Sequence, residues 1–216
     1  SVKQDLIDVK NFIAENGGAD VDIIAKIENR SGVDNVEEIC TVADGIMIAR
    51  GDLGVEIPFI EVPAVQKYLI DKCRLLGIRV ITATEMLESM INNPRPTRAE
   101  LSDVANAVYD GTSAIMLSGE TAVGKHPVLA VETMSRIAEQ TENSINYTKR
   151  FLAASFQIRN TVDAISHATC GMSIDLDAKA IVVTSLSGLT VRMVSRFRSS
   201  VTSAILFFLE GIIPAT

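Results

Sequence analysis

Positive charge, histidine, cysteine and long apolar runs are all scarce in this 216-residue sequence, and each shortage closes off a class of function. Lysine and arginine number 20 against 27 aspartates and glutamates, a formal net charge of −7 with both histidines neutral. Such an acidic chain is poorly suited to binding nucleic acid or any other polyanion. The three cysteines, Cys40, Cys73 and Cys170, are odd in number, widely spaced and without a C-x-x-C pair. Neither a disulfide framework nor a zinc site is therefore expected, and a reducing, cytoplasmic setting is. His126 directly precedes Pro127, and His167 falls beside core positions of an expected helix; neither has a partner histidine at metal-binding spacing, so both read as structural. No apolar run reaches the roughly 18 residues of a membrane span. The longest candidate, Val201–Thr216, is shorter and contains Glu210. No charged leader with an apolar core opens the chain, so a soluble protein is the expectation. The patterns G-x-S-x-G, G-x-x-x-x-G-K-[ST] and G-x-G-x-x-G are missing, which removes the serine-hydrolase and common nucleotide-loop readings.

What is present is an ordinary globular mixture, 47% hydrophobic and 22% charged, arranged in alternating segments. Val21–Ile27, Gly45–Ala49, Arg79–Ala83 and Ser113–Leu117 are short, β-branched or apolar runs that read as buried strands. Between them apolar residues recur at helical spacing, as in Val62, Val65, Tyr68, Leu69, Cys73 and Leu76, stopped by Gly77. Thr97 and Glu100 form a capping-box pattern ahead of Val104, Ala107 and Val108, and Pro127 suits the first turn of a helix carrying Val128, Val131, Met134, Ile137 and Ala138. Strand and helix thus alternate four times, which calls for parallel strands joined by crossover helices. The first helix, Asp5–Glu15 with Leu6, Val9, Phe12 and Ile13 on one face, has no strand before it, so a chain that starts part-way through a fold is expected. Past residue 150 the pattern restarts: a helix around Val162, Ile165, Ala168 and Thr169, a strand at Ala180–Thr184, a helix at Val191–Phe197 and a strand-like Ala204–Leu209. A domain boundary is expected within Asn146–Ser155, giving domains 1–150 and 151–216.

In parallel α/β folds, sites are assembled from loops at the downstream ends of strands. Those ends carry Lys26 and Glu28, then Asp52, then Thr84, then Ser118 and Glu120, spaced at one βα unit each. Strand alternation sets Lys26 and Glu28 on the same face, where they could form either an internal ion pair or part of a reaction site. Asp52 at the next strand end supplies a second carboxylate, and two carboxylates suit Mg²⁺, which completes its octahedron with water and substrate oxygens. Lys26 beside such an ion would add fixed positive charge where a transferring phosphoryl group gathers negative charge. Gly51 and Gly54 bracket Asp52 in what reads as a glycine turn able to offer backbone N–H groups to an anion. Thr84 could give a hydroxyl to a bound acid or be structural, and Ser118 could cap a helix instead of serving a substrate. The loop Asn92–Arg98 has two prolines and two arginines, exposed to solvent or to a subunit or ligand contact.

Taken together these motifs resemble the pyruvate kinase family. VDIIAKIENRSGV at 21–33 is similar to that family's lysine signature, and it is followed in order by MIARGDLGVEIP, ITATEMLESMINNPRPTRAE, DVANAVYDGTSAIMLSGETAVGKHP and VRMVSRFRS, covering Ser1 to Ser199. The resemblance implies an α/β chain made of the last four βα units of a (β/α)₈ TIM barrel followed by part of an α/β C-terminal domain. It also implies phosphoryl transfer between phosphoenolpyruvate and ADP, yielding pyruvate and ATP at the last step of glycolysis. Mg²⁺ or Mn²⁺ would serve as cofactor, with K⁺ held by residues outside this chain. By the same resemblance Lys26 is catalytic and binds substrate, Glu28 and Asp52 bind the metal, the Gly51 and Asp52 amides hold the substrate carboxylate, and Thr84 contacts the same substrate. Ser118 and Glu120 fall where the rim helps protonate enolpyruvate. Arg98 falls in a loop that supports the neighbouring subunit in a family usually tetrameric, and SLSGLT at 185–190 resembles an activator-phosphate loop. The barrel's first four strands and the family's lid domain are expected upstream of Ser1, the segment alone is expected to be inactive, and the stretch after Arg198 departs from the family pattern, as a truncation or altered reading frame would.

Overall fold

A computed structural model describes residues 2–185 and 188–199 and the backbone of 204–207. Contacts divide the chain into two compact units, Ser1–Ile145 and Asn146–Thr216. In the first unit four strands, β1 (Ile24–Ile27), β2 (Gly45–Ala49), β3 (Arg79–Ala83) and β4 (Ala114–Met116), pair in parallel in the order β1-β2-β3-β4. Each strand hands over to helix: α1 (Lys3–Glu15) precedes β1, α2 (Arg30–Asp34) and α3 (Val36–Cys40) follow it, α4 (Arg50–Glu56) and α5 (Val62–Leu76) follow β2, and α6 (Arg98–Asp110) follows β3. After β4 come α7 (Gly119–Ala122) and α8 (Pro127–Ser144). Four consecutive βα units with neighbouring strands in sequence order make this a partial TIM barrel.

The alternation expected of β1 is observed: Ala25 and Ile27 are buried while Ile24 and Lys26 are exposed. Strand register extends that division across the sheet. Lys26, Met47, Ile81 and Ala114 stand in one row on one face, and Ile27, Ile48, Thr82 and Ile115 stand in another on the opposite face. The second face meets the helices. Ile27, Ile39, Ile46, Ile48, Leu69 and Ile70 are all inaccessible there, each contributing about 1.5–3 kcal/mol through burial of its side chain. A second cluster built from Met86, Leu87, Met90, Val104, Ala107, Ala130 and Met134 seats α6 and α8. The helix ends follow local chemistry. Gly77 closes α5 in the left-handed region at φ 72°, which suits a residue without Cβ. Thr97 Oγ1 accepts from the Glu100 amide at 3.2 Å while the Thr97 amide donates to Glu100 Oε2 at 2.6 Å, the capping box read in the sequence.

Three helix faces differ from their sequence expectation. On α1, Leu6 is buried but Val9 and Phe12 are 45% and 66% exposed. On α8 the buried stripe is Ala130, Met134 and Thr141, with Val128 and Val131 facing outward. In the second unit, which holds α9 (Tyr147–Ala153), α10 (Thr161–Asp175), β5 (Ile181–Thr184), α11 (Leu189–Ser195) and β6 (Ala204–Phe207), the inward face of α10 is Asp163, Ser166, Cys170 and Ser173 instead of Val162, Ile165 and Ala168. The inversion has an electrostatic cause. Arg196 reaches Asp163 at 2.6 Å and both side chains are nearly excluded from solvent, so the polar stripe is turned inward by its partner. His167 packs among Phe151, Phe156 and Phe197, stacked on Phe151 with ring centroids 4.9 Å apart. β5 and β6 are parallel. Residues 186 and 187 of the SLSGLT loop, and the tail except for the backbone of β6, lie outside the described residues.

Candidate active site

Parallel neighbouring strands deliver their downstream ends to a single rim, and the first unit places the candidate residues there. Lys26 on β1 and Asp52 in the first turn of α4, directly after β2, meet with Nζ 2.6 Å from Oδ2. Glu28, just past β1, approaches the same ammonium at 2.7 Å through Oε2. All three side chains are 41–56% exposed, so the cluster opens to solvent and is accessible to ligand. Hydrogen bonds to Asp52 first and Glu28 second raise the Lys26 pKa above that of a free lysine, and it stays charged throughout the physiological range.

Two carboxylates converging on one cation form a donor set of the kind Mg²⁺ takes, one or two carboxylates with the remaining positions left to water and substrate oxygens. Among the described residues no group of three or more His, Cys, Asp or Glu side chains comes together at metal-binding distance. A two-carboxylate site would not require one.

The segment 49–54 is not the glycine turn its composition suggests. β2 ends at Ala49 and α4 starts at Arg50, so Gly51 and Asp52 lie in the opening turn of a short helix and Gly54 lies inside it. The amides of such a turn lack intrahelical acceptors and must find partners outside the helix. The Gly51 amide donates to Thr84 Oγ1 at 2.9 Å, and that hydroxyl in turn donates to the Ala83 carbonyl at 2.6 Å. Gly51 and Thr84 are thereby joined across the ends of β2 and β3.

Arg50, which its sequence setting does not single out, holds this junction in shape. Thr84 and Glu85 both have left-handed backbone, at φ 70° and 53°, and neither is glycine. For a β-branched threonine this conformation is an outlier that the surroundings must enforce. The guanidinium of Arg50, its side chain 8% exposed, does so: Nη2 donates to the Thr84 carbonyl at 2.7 Å and to the Glu85 carbonyl at 2.9 Å, and Nε donates to the Thr84 carbonyl at 3.1 Å. Asp103 on α6 closes the fork from the other side, 2.7 Å from Nη1, and Gln66 on α5 accepts from the same nitrogen at 3.3 Å. The one clue in the sequence was an arginine immediately after a fully apolar strand, a position where burial demands several partners.

Glu120 is placed differently from Lys26, Glu28, Asp52 and Thr84. It is almost wholly buried and accepts from the Leu87 amide at 3.0 Å and the Ser118 amide at 2.7 Å, so its carboxylate ties the loop after β3 to the loop after β4. Ser118 precedes α7 without a capping bond from its own side chain. Arg98 is exposed at the start of α6.

Comparison with known proteins shows the family. A family profile described as "Pyruvate kinase, barrel domain" matches residues 2–131, and one described as "Pyruvate kinase, alpha/beta domain" matches residues 163–208. The chain is 53% identical over 197 residues to a pyruvate kinase of Clostridium acetobutylicum, an alignment covering 90% of this chain and 41% of that protein. It is 55% identical over 195 residues to one of Bacillus licheniformis, covering 90% of this chain and 33% of that protein. It also superimposes on the crystal structure of a pyruvate kinase from Cryptosporidium parvum with a TM-score of 0.88 at 42% identity, covering 95% of this chain and 43% of the other. The chain spans about a third to two-fifths of the length of these curated relatives.

Proposed function

This chain belongs to the pyruvate kinase family, and from that premise we propose that it is the segment of such an enzyme that carries the phosphoryl-stabilising lysine and the divalent-metal carboxylates. The reaction moves the phosphoryl group of phosphoenolpyruvate to ADP: the enol oxygen–phosphorus bond breaks, a bond from phosphorus to the terminal ADP oxygen forms, and the enolate left behind takes a proton at carbon to give pyruvate. The observation that carries this reading is the convergence of Glu28 and Asp52, from two successive βα units, on the ammonium of Lys26.

In this reading Lys26, held protonated, faces the charge that builds on the phosphoryl oxygens during transfer. Glu28 and Asp52 would hold Mg²⁺ or Mn²⁺, which when bound supplies Lewis-acid stabilisation of phosphoryl and enolate charge. The Asp52 amide, and the Gly51 amide once released from Thr84 Oγ1, would bind the substrate carboxylate. The Thr84 hydroxyl would turn from the Ala83 carbonyl to the same group, and Arg50 acts as a positioning residue by fixing the backbone that presents Thr84. Residues 1–150 would form the second half of the catalytic barrel and 151–216 part of the α/β C-terminal domain. K⁺ dependence, a homotetramer and a cytoplasmic location go with the same family reading; among the described residues no helix is long and apolar enough to cross a membrane.

A substitution chimera tests the reaction. Residues 2–199 of this chain would replace the matching segment of the Clostridium acetobutylicum relative, with folding checked by circular dichroism, and ADP-dependent pyruvate formation would be followed. Turnover is expected in the chimera and not in its Lys26→Met variant, and the isolated 216-residue chain is expected to show none. A folded Lys26→Met chimera as active as its parent would refute the role given to the lysine.

A further inference from the structure

Far apart in sequence, Cys40 and Cys73 are brought together by the crossover helices, with Sγ atoms 3.9 Å apart inside the core of the first unit. Both are free thiols. Cys40 ends the five-residue α3, and Cys73 lies in the last turn of α5, so the pair sits between the helices on either side of β2. We infer that Cys40 and Cys73 are an oxidant-responsive dithiol that closes to an intrachain disulfide and staples α3 to α5.

Geometry favours the closure. A disulfide has its sulfurs about 2.0 Å apart, so each sulfur must advance by only about 1 Å, within reach of side-chain rotation and a small slide of a one-turn helix. Access is unequal in a useful way. Cys73 is fully inaccessible, and its contact with Cys40 together with its burial pushes its thiol pKa upward. Cys40 retains 7% exposure and lies at the end of a helix beside the exposed Glu37, Glu38 and Thr41, so its sulfur is the one nearer to solvent. Cys40 is therefore the sulfur that meets the oxidant and Cys73 the one that resolves it.

With a hydroperoxide as oxidant the steps balance. The Cys40 sulfur attacks one peroxide oxygen, the O–O bond breaks, and the sulfenic acid forms with release of water. The Cys73 sulfur then attacks the sulfenic sulfur, the S–S bond forms, the S–O bond breaks, and a second water leaves. Two thiols lose two electrons and two protons in all, and hydrogen peroxide is reduced to two waters. Cys170, in the second unit with its sulfur against the Val194 carbonyl, has no neighbouring thiol among the described residues and serves as an internal control.

The folded 216-residue chain would be treated with hydrogen peroxide, free thiols blocked under denaturing conditions, and the unreduced digest mapped by mass spectrometry. The expected product is a peptide linking Cys40 to Cys73, lighter by two hydrogens than its reduced parts and split by phosphine, with Cys170 alkylated. A Cys73→Ala variant should give no intrachain link and should carry sulfenic or sulfinic acid at Cys40. The inference is overturned if the wild-type chain oxidises without a Cys40–Cys73 peptide, if the links join separate copies or Cys170, or if both thiols remain alkylatable at peroxide levels that oxidise free cysteine. The wild-type map decides the matter even if the variant does not fold.

Discussion

Replacing Arg50 with methionine removes the fork that holds Thr84 and Glu85 in left-handed backbone while keeping a side chain of comparable length in the cavity. The loss is large for identifiable reasons. Three donor contacts to the Thr84 and Glu85 carbonyls disappear, at 2.7, 2.9 and 3.1 Å, and with them the ion pair to Asp103. A hydrogen bond involving a charged group is worth about 1.5–3 kcal/mol, but contacts sharing one guanidinium do not add, and breaking a buried pair costs about 3–5 kcal/mol as a whole. The lower part of that range is expected, because Asp103 is 38% exposed and can be resolvated. With a urea dependence of roughly 2 kcal/mol per molar, the unfolding midpoint measured by far-ultraviolet circular dichroism should fall by about 1.5–2 M. Arg50→Lys should recover only part of the loss, since a single ammonium can pair with Asp103 but cannot also reach both carbonyls. A loss below about 1 kcal/mol for Arg50→Met would show that the turn at Thr84 stands without its clamp.

Two further perturbations test the first unit. Gly77→Ala, at φ 72° on the end of α5, should cost about 1 kcal/mol in the same urea experiment, and no cost would mean the helix end can rearrange. Burial works to raise the Glu100 pKa, but hydrogen bonds from the Ser89 hydroxyl and amide and from the Thr97 amide and hydroxyl outweigh it and leave the carboxyl below its reference of 4.5. Because the folded-state pKa is the lower one, the stability this group contributes is complete above 4.5 and drains away as the pH falls through the folded value. Glu100→Gln should therefore flatten the acid limb of stability below pH 4.5 and lower stability at neutral pH; an unchanged acid limb would contradict the assignment.

The parts of this chain that were legible in its sequence are those fixed by short-range chemistry. β2 and β3 occupy the residues their β-branched and apolar runs marked, because strands between parallel neighbours and covered by helices are built mainly from such residues, Arg79 at the exposed start of β3 excepted. Thr97 with Glu100, Pro127 and Gly77 likewise marked helix ends through bonds made within a few residues. Lys26 and Glu28 could be placed on one side of a strand by alternation alone, but their meeting with Asp52 depends on the register of β1 against β2. The left-handed Thr84 and the buried Arg50 that enforces it were out of reach, since neither residue type signals that conformation and the fork spans three separate segments. Helix faces failed where partners outside the helix decide burial. The Asp163 stripe of α10 is inside because Arg196 is there to pair with it, and no periodicity of apolar residues could report that. The contact between Cys40 and Cys73 was hidden for the same reason, the two lying 33 positions apart in the chain.

The central claim is that Lys26, Glu28 and Asp52 form a site for a divalent ion together with a small planar acid. Oxalate, a dicarboxylate with the planar shape of an enolpyruvate anion, is the direct probe, titrated calorimetrically into the 216-residue chain with and without Mg²⁺. Binding is expected to require Mg²⁺ and to weaken by about tenfold or more in Glu28→Gln and in Asp52→Asn, a loss at least as large as that seen on removing an outer partner of a metal ligand. Oxalate binding that is indifferent to Mg²⁺, or unchanged in both variants, would contradict the claim.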